Sequence, residues 1–203
     1  MNLRAIIPTG FASLACAKAA TTQPTLTTIL QTLAVKFKPQ IYIANGCHPY
    51  PTVDEDATGS QSSGCIGSSL GSQSYGRAVE YERVTRRYPD SVTATTVVWL
   101  DDMTLDEPNI VALSASYHST YLYYYPPDSD YLDGNSTKIE YSTSWVVLDH
   151  SLSATSTSGE TQDLIIWDQL ANAARTAPED TDFGDANVPF KEANFETKLA
   201  NAY

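Results

Sequence analysis

The hydrophobic positions follow one period near the start of the chain and another further along. Over Leu26–Phe37 the apolar residues recur three and four positions apart, which predicts a helix with one inward face. Pro39 ends that helix because proline has no backbone N–H to donate. Beyond it, the apolar residues come in short runs rich in aromatic and β-branched side chains, which favours strands.

Eight short strands are predicted from these runs. They are Gln40–Ala44, Ser74–Tyr81, Thr95–Leu100, Ile110–Tyr117, Tyr121–Tyr125, Lys138–Tyr141, Ser144–Leu148 and Asp163–Trp167. Two later segments have a helical pattern, Asp168–Arg175 and Lys191–Asn201. Segments rich in Gly, Ser, Thr, Asp and Pro are predicted loops: Asn45–Gly71, Asp106–Asn109, Pro126–Asp133, Ser151–Thr161 and Pro178–Pro189. This order predicts a mainly β (α+β) fold, a central β-sandwich flanked by helices.

The middle of Ser72–Asp102 fits neither period. Arg83–Asp90 contains three arginines and a proline between two predicted strands. A basic patch in an acidic protein can be interpreted as a phosphate site, and the resemblance described below gives another interpretation.

Composition and charge narrow the class of protein. The 203 residues carry a formal charge of −12, which excludes nucleic-acid binding because that needs clustered Lys and Arg. A divalent cation or a neutral glycan is compatible with this charge. No segment after the N-terminus reaches the roughly 18 apolar residues that span a bilayer. One domain is the expectation for this length.

The N-terminus is typical of a secretory signal peptide. Met1–Arg4 is basic, Ala5–Ala15 is apolar, and small residues follow at possible cleavage sites. We therefore predict a signal peptide over residues 1–19 and a secreted, extracellular domain over residues 20–203. The alternative is a buried N-terminal helix.

The number and positions of the cysteines are consistent with a secreted protein. Cys16 would leave with the leader, and Cys47 and Cys65 would remain as an even pair able to form a disulfide. The alternative is two free thiols in a cytosolic protein. Asn135 begins an Asn-Ser-Thr sequon beside Gly134, which predicts glycosylation on an exposed turn.

A few residues could form a binding site. His118 and His150, with Asp149, are interpreted either as the lining of one polar cavity or as ordinary loop residues. Trp145 is either a surface aromatic for a sugar or a membrane interface, or a core residue.

The motifs of common enzyme classes are missing from the sequence. An acidic cluster, Asp101, Asp102, Asp106 and Glu107, is either a cation site or a solvated loop. The chain has no Gly-x-Ser-x-Gly elbow, His-Glu-x-x-His helix or Walker loop. We therefore predict that the protein is not an enzyme.

Four blocks of sequence resemble the necrosis- and ethylene-inducing-like protein (NLP) family. They are Lys36–Tyr50 (KFKPQIYIANGCHPY), Val97–Ser116 (VVWLDDMTLDEPNIVALSAS), Asp130–Trp145 (DYLDGNSTKIEYSTSW) and Leu164–Leu199, which contains LIIWDQL. They cover most of the predicted mature chain in the order of the family.

This resemblance implies a fold, a function and a set of site residues. Family members are secreted, non-enzymatic cytolysins with a sandwich similar to actinoporins and lectins. They bind sphingolipid head groups of plant plasma membranes with the help of a divalent cation, Mg or Ca. By the same resemblance Cys47 pairs with Cys65, Trp145 engages the lipid head group, and His118, Asp149 and His150 belong to the cavity. We expect a monomer.

The chain departs from the family between Arg77–Tyr81 and Val97–Leu100. There the family has a long strand ending in Trp-Tyr-Phe-Pro-Lys-Asp, followed by Gly-His-Arg-His-Asp-Trp-Glu with the cation ligands. This chain has neither motif, and its connection is shorter. With suitable codons, Ser91–Thr96 read two bases out of frame gives Gly-His-Arg-His-Asp, so we predict a frame-shifted or mis-spliced segment or a real lesion.

Three functions follow from these observations. The first is a necrosis-inducing effector impaired by loss of the cation ligands and of one strand. The second is a non-toxic glycan- or lipid-binding paralogue, which retention of Trp145 without those ligands favours. The third is a hydrolase on a β-sandwich, which requires a pair of flanking carboxylates that the sequence does not indicate.

Overall fold

The computed structural model describes residues 4–9, 25–45, 73–80, 95–118, 120–144, 149–161, 163–169, 172, 176 and 192–203. Its helices are α1 (Ile29–Lys36) and α2 (Glu192–Ala202), and short 3-10 turns lie at Ser129–Tyr131 and Trp167–Gln169. Its strands are β1 (Arg4–Thr9), β2 (Gln40–Ile43), β3 (Gln73–Glu80), β4 (Thr96–Leu100), β5 (Ile110–Tyr117), β6 (Thr120–Tyr124), β7 (Leu132–Asp133), β8 (Ser136–Ser144), β9 (Asp149–Ala154) and β10 (Asp163–Ile166).

The strands form one continuous sheet with two parts. The order is β10-β3-β1-β4-β5-β9-β8-β2, with β6 added to β5 and β7 added to β8. The pairing of β5 with β9 consists of a single residue pair, Tyr117 with Ser151. One part of the sheet, β10-β3-β1-β4-β5 with β6, is therefore joined only briefly to the other part, β9-β8-β2 with β7.

One hydrophobic core joins both parts of the sheet to α1. Residues of α1, β4, β5, β8, β9 and β10 belong to the same buried cluster, and the cluster confirms the predicted architecture of a mainly β fold with flanking helices. Its members are Leu33, Ala34, Phe37, Val98, Leu100, Met103, Leu113, Ala115, Ile139, Leu152, Leu164 and Ile166.

Helix α1 begins three residues later than its apolar pattern predicts. Thr28 caps it, accepting a hydrogen bond from the Gln31 backbone N–H, while the Gln31 side chain accepts from the backbone of Thr27 and Thr28. Gln31 is therefore buried although it is polar, whereas Ile29 is 74% exposed. The capping box, rather than the apolar stripe, determines where the helix starts.

Helix α2 is fastened to the outer face of the sheet by a buried hydrogen-bonded chain. The Trp99 Nε1–H donates to Ser114 Oγ at 2.8 Å, and the Ser114 hydroxyl donates to the carbonyl of Ala202. The rings of Trp99 and Tyr203 meet edge to face, 5.1 Å apart. The C-terminal residues thus hold α2 against β4 and β5.

The prediction of a loop over Ser151–Thr161 is wrong at its start. β9 occupies Asp149–Ala154 and pairs with β8 from Ile139↔Ala154 to Ser144↔Asp149. The strand escapes a composition-based prediction because small polar residues flank Leu152, the residue that is buried in the core. β8 is longer than the predicted strand Lys138–Tyr141 and extends over Ser136–Ser144, and residues 145–148 of the predicted strand Ser144–Leu148 lie outside the described residues.

The prediction of a helix over Asp168–Arg175 fails at its first two residues. They belong to a 3-10 turn, in which the Gln169 side chain accepts from the Ile166 N–H and donates to the Thr25 carbonyl. These two bonds tie the end of β10 to the chain before α1. Most of the remaining predicted helix lies outside the described residues.

The predicted leader contains a strand. β1 pairs antiparallel with both β3 and β4, so the alternative of an N-terminal helix is wrong over Arg4–Thr9. Cleavage of a signal peptide within residues 1–19 stays a prediction.

Candidate functional site

The backbone brings the sequence-predicted site residues to one end of the sheet. Tyr117 pairs with Ser151, so His118 and His150 each lie next to this pair on neighbouring strands. Asp149 pairs with Ser144 at the end of β8. Trp145 follows Ser144 directly in the chain and lies outside the described residues. We call this region the turn end; it comprises Thr95, Tyr117, His118, Tyr121 and the first residues of β9.

His118 occupies a constrained turn at this end. Tyr117 pairs with Thr120, so the loop between β5 and β6 has two residues, and the φ of His118 is +53°. Such tight hairpins require a left-handed residue, which histidine adopts more readily than branched residues do. The side chain is exposed and its ring meets Tyr117 edge to face at 4.3 Å. The fold therefore presents an imidazole and a phenol ring side by side.

Below the turn lies a layer of hydroxyl groups. The Thr95 N–H donates to Ser116 Oγ at 2.7 Å, and the Ser116 N–H donates to the Thr95 carbonyl at 2.8 Å. The Tyr121 hydroxyl is buried beside Thr95 and makes no well-aligned hydrogen bond. Burial raises the pKa of Tyr121 to about 12, so its phenol stays protonated at neutral pH.

The described side chains of the turn end do not suit a hard cation. They are hydroxyls and an imidazole, whereas Mg and Ca prefer several carboxylate and carbonyl oxygens. Across the part of the chain that the structure describes, no three His, Cys, Asp or Glu side chains come together as a metal site. We therefore derive no function from a cation bound here.

The acidic cluster is a structured loop between β4 and β5. The Asp101 carboxylate accepts from the backbone N–H groups of Asp102 and Asn109 and from the Asn109 side-chain amide. These bonds, chiefly the one from the Asn109 side chain, lower the pKa of Asp101. Glu107 pairs with Lys36 at 2.6 Å. The carboxylates thus serve the loop, which agrees with the solvated-loop interpretation.

The remaining predicted sites are only partly described. Cys47 and Cys65 lie outside the described residues, so their disulfide stays a prediction. Asn135 is exposed in a turn beside Gly134, whose φ is +59°. Glycosylation at Asn135 stays a prediction as well. Within the described segments no helix is long and apolar enough to cross a bilayer.

Sequence reasoning missed the hydroxyl layer of Thr95, Ser116 and Tyr121. Ser116 and Tyr121 are neighbours only through the register of β5 and β6. A Ser or Thr among apolar strand residues was the available signal, since buried hydroxyls need partners. The sequence does not indicate which partner each one takes.

The chain belongs to the Necrosis inducing protein (NPP1) family, whose sequence profile matches residues 31–88 and 93–202. A relative, "NLP effector protein 1" of Phytophthora capsici, is 66% identical, with 100% of this chain and 99% of the relative covered. The solved structure "NLPPya in complex with mannosamine" is 40% identical, with a TM-score of 0.79 over 93% of this chain and 96% of that one. The solved "non-toxic HaNLP3 protein" is 34% identical, with a TM-score of 0.76 over 90% and 95%.

The comparisons also concern the departure from the family pattern. The alignment with the P. capsici relative has 235 positions, whereas this chain has 203 residues, so 32 positions have no counterpart here. The profile match is interrupted at residues 89–92, inside the segment that departs from the family. Loss of a segment accounts for a shorter chain, and the frame-shifted reading of Ser91–Thr96 stays a prediction.

Proposed function

We propose that this protein is a secreted effector of the necrosis-inducing class that recognises sugar head groups of plant membrane sphingolipids through the turn end. The observation that carries the proposal is the pairing of Tyr117 with Ser151, which places His118 beside the start of β9. Tyr117 and His118 present polarised rings on an exposed turn, and aromatic faces with polar tips suit sugars and membrane interfaces. That a related protein was solved with mannosamine supports a sugar as the ligand.

We further propose that membrane damage by this chain is impaired. The side chains of Thr95, Tyr117, His118 and Tyr121 are hydroxyls and an imidazole, whereas a bound Mg or Ca would need several carboxylate or carbonyl oxygens. The shorter chain removes positions that the relative retains. Weak head-group binding can persist through stacking alone, whereas cation-dependent lysis is expected to be lost.

The test compares this protein with the P. capsici relative on vesicles with and without a plant sphingolipid. We expect this protein to bind only the sphingolipid vesicles and to release less trapped dye than the relative. Chelation of Mg and Ca is expected to reduce release by the relative alone. Full, chelator-sensitive dye release by this protein would refute the impairment, and equal binding to both vesicles would refute the head-group specificity.

A non-toxic binding module is the alternative function. That a family member of the same fold is described as non-toxic supports it. The two proposals differ in leaf infiltration: a weakened effector causes necrosis at high dose, whereas a binding module causes none while still binding the vesicles. A Trp145→Ala variant tests whether binding in either case uses the aromatic residue that the resemblance indicates.

A further inference from the structure

A series of aromatic rings leads from the core to the surface beside β6. Trp99 is fully buried, and its ring meets that of Tyr203 edge to face with 5.1 Å between the centroids. The ring of Tyr203 also meets that of Tyr123 edge to face, at 5.7 Å. Tyr123 and Tyr125 follow, with centroids 6.2 Å apart and ring planes within 4° of parallel. Tyr125 is therefore the outer member of a connected series of four rings.

The alternation of side chains along β6 explains why the outer rings are exposed. Tyr123 pairs with Ser114, so its side chain lies on the face of the sheet where Ser114 bonds to Ala202 in α2. Tyr121 and Tyr125 lie two residues away on either side, which places them on the same face. The Tyr121 hydroxyl is buried, whereas Tyr123 is 41% exposed and Tyr125 is 61% exposed. Exposure therefore rises along β6 with distance from the turn end.

Contacts on both faces of β6 hold these rings in place before any ligand binds. On one face, the Ser114 hydroxyl donates to the carbonyl of Ala202, the residue that precedes Tyr203. On the other face, the Tyr124 hydroxyl accepts a hydrogen bond from the Ala154 N–H at 3.2 Å. Because the strand is anchored in this way, its aromatic side chains have little conformational freedom left to lose on binding.

The charge around the exposed rings favours a neutral ligand. The sequence Thr120–Tyr131 contains no Lys or Arg, and the exposed residues Asp128 and Asp130 follow closely after the tyrosines. Together with the formal charge of −12, these carboxylates repel anionic glycans and anionic membrane surfaces. A tyrosine has an apolar ring face and a polar hydroxyl, so it can stack on the C–H face of a sugar and bond to the sugar hydroxyls.

We propose that Tyr123 and Tyr125, supported by Tyr203, form a glycan-binding surface separate from the turn end. We call it the tyrosine surface; it lies at the opposite end of β6 from the turn end. Its ligand class is a neutral glycan with flat C–H faces, such as β-1,4-linked glucose, whose hydroxyls are all equatorial. The tyrosine surface shares no residue with the turn end, so it retains the protein on such a glycan independently of head-group binding.

Calorimetric titration with cellohexaose, a soluble glycan of β-1,4-linked glucose, tests the proposal. We expect the unmodified protein to bind it, Tyr125→Ala to bind roughly tenfold more weakly, and Tyr125→Phe, which keeps the ring, to retain most of the affinity. Because most of the Tyr125 side chain is exposed, both variants are expected to keep the Tm of the unmodified protein to within about 2 °C. The control is Tyr42→Ala, on β2 in the other part of the sheet, which is expected to bind cellohexaose like the unmodified protein.

Several results of these titrations would overturn the proposal. They are no binding of cellohexaose by the unmodified protein, equal affinity of the unmodified protein and Tyr125→Ala, and equal weakening in Tyr125→Ala and Tyr125→Phe, which would exclude ring stacking. Parallel measurements use polygalacturonate, an anionic glycan, and phosphatidylcholine vesicles without sphingolipid. Binding to either that is lost in Tyr125→Ala would assign the tyrosine surface to a polyanion or a membrane instead. Loss of head-group binding at the turn end would affect none of these measurements.

Discussion

The polar side chains at the two ends of the β4–β5 pair differ in their hydrogen bonding and exposure. At one end, carboxylates of the loop Asp101–Asn109 have protein partners: Asp101 accepts three hydrogen bonds within the loop, and Glu107 pairs with Lys36 of α1. At the turn end, the His118 imidazole is exposed and the Tyr121 hydroxyl is buried without a hydrogen bond of full geometry. The carboxylates of the first end stabilise the loop, whereas the second end presents an exposed imidazole close to a buried phenol.

This difference shows how to choose between polar clusters. The acidic loop has more charge in its sequence, yet Asp101 accepts hydrogen bonds from two backbone N–H groups and from the Asn109 amide, and Glu107 pairs with Lys36. The turn end is less conspicuous in the sequence, yet it collects residues from β5, β6 and β9. A binding site is better sought where tertiary structure gathers exposed polar side chains from several strands.

The largest effect on stability is expected at Ser114, in the β4–β5 pair that both ends share. Ser114→Ala removes the acceptor of the Trp99 Nε1–H and the donor to the Ala202 carbonyl. We expect a loss of about 2–4 kcal/mol in the free energy of unfolding, because two buried hydrogen bonds are lost. Urea denaturation measures it, with the exposed Ser129→Ala as the control. A loss no larger than that of the control would show that the hydrogen-bonded chain does not hold α2.

The next largest effect on stability is expected at Asp101, in the loop between β4 and β5. Asp101→Ala removes the acceptor of three hydrogen bonds and is expected to cost about 1–2 kcal/mol at neutral pH, with vesicle binding unchanged. Because the folded state lowers the pKa of Asp101, its contribution is complete above the ordinary value of 3.8 and is lost as pH falls through the folded pKa. Asp106→Ala, on the exposed surface of the same loop, is the control. A pH-independent difference between Asp101→Ala and the unmodified chain would contradict this account.

Tyr121 gives an effect confined to alkaline pH. Its pKa is raised from 10.0 to about 12 in the folded state, so the full stability of the fold is present below pH 10 and falls as pH rises towards 12, because the unfolded chain ionises first. One such group changes the free energy of unfolding by about 1.4 kcal/mol per pH unit in that window. We expect Tyr121→Phe to match the unmodified chain near pH 8 and to be the more stable of the two near pH 11. Parallel curves across this range would contradict burial as the cause.

Substitutions of His118 are expected to have the smallest effect on stability and a clear effect on binding to sphingolipid vesicles. His118→Gly removes the strain of a φ of +53° and is expected to stabilise the fold by up to about 1 kcal/mol, whereas His118→Ala retains the strain. Both variants lose the imidazole and are expected to weaken binding to sphingolipid vesicles equally. Thermal melts and vesicle sedimentation on the pair separate the two roles. Unchanged binding in both would remove His118 from the proposed site.

An element of the fold can be predicted from the sequence when the residues that determine it are close together along the chain. β4 and β5 are apolar runs bounded by turn residues, so their sequences predict them within a residue or two. β9 was missed because Ser-Leu-Ser-Ala has the composition of a loop, and only its pairing with β8 makes it a strand. Helix α1 starts late because Thr28 and Gln31 form a capping box. This signal is local, but the prediction followed the apolar positions instead.

The sequence by itself determined the family, the mainly β class and the place where this chain departs from its relatives, because motifs and periodicity are carried by neighbours along the chain. Only the tertiary structure decided that the carboxylates of Asp101–Asn109 belong to a loop, that His118 lies beside β9, and that Arg4–Thr9 separates β3 from β4. The physical reason is that strand pairing depends on which backbone edges are free, and residues far apart in the chain compete for them.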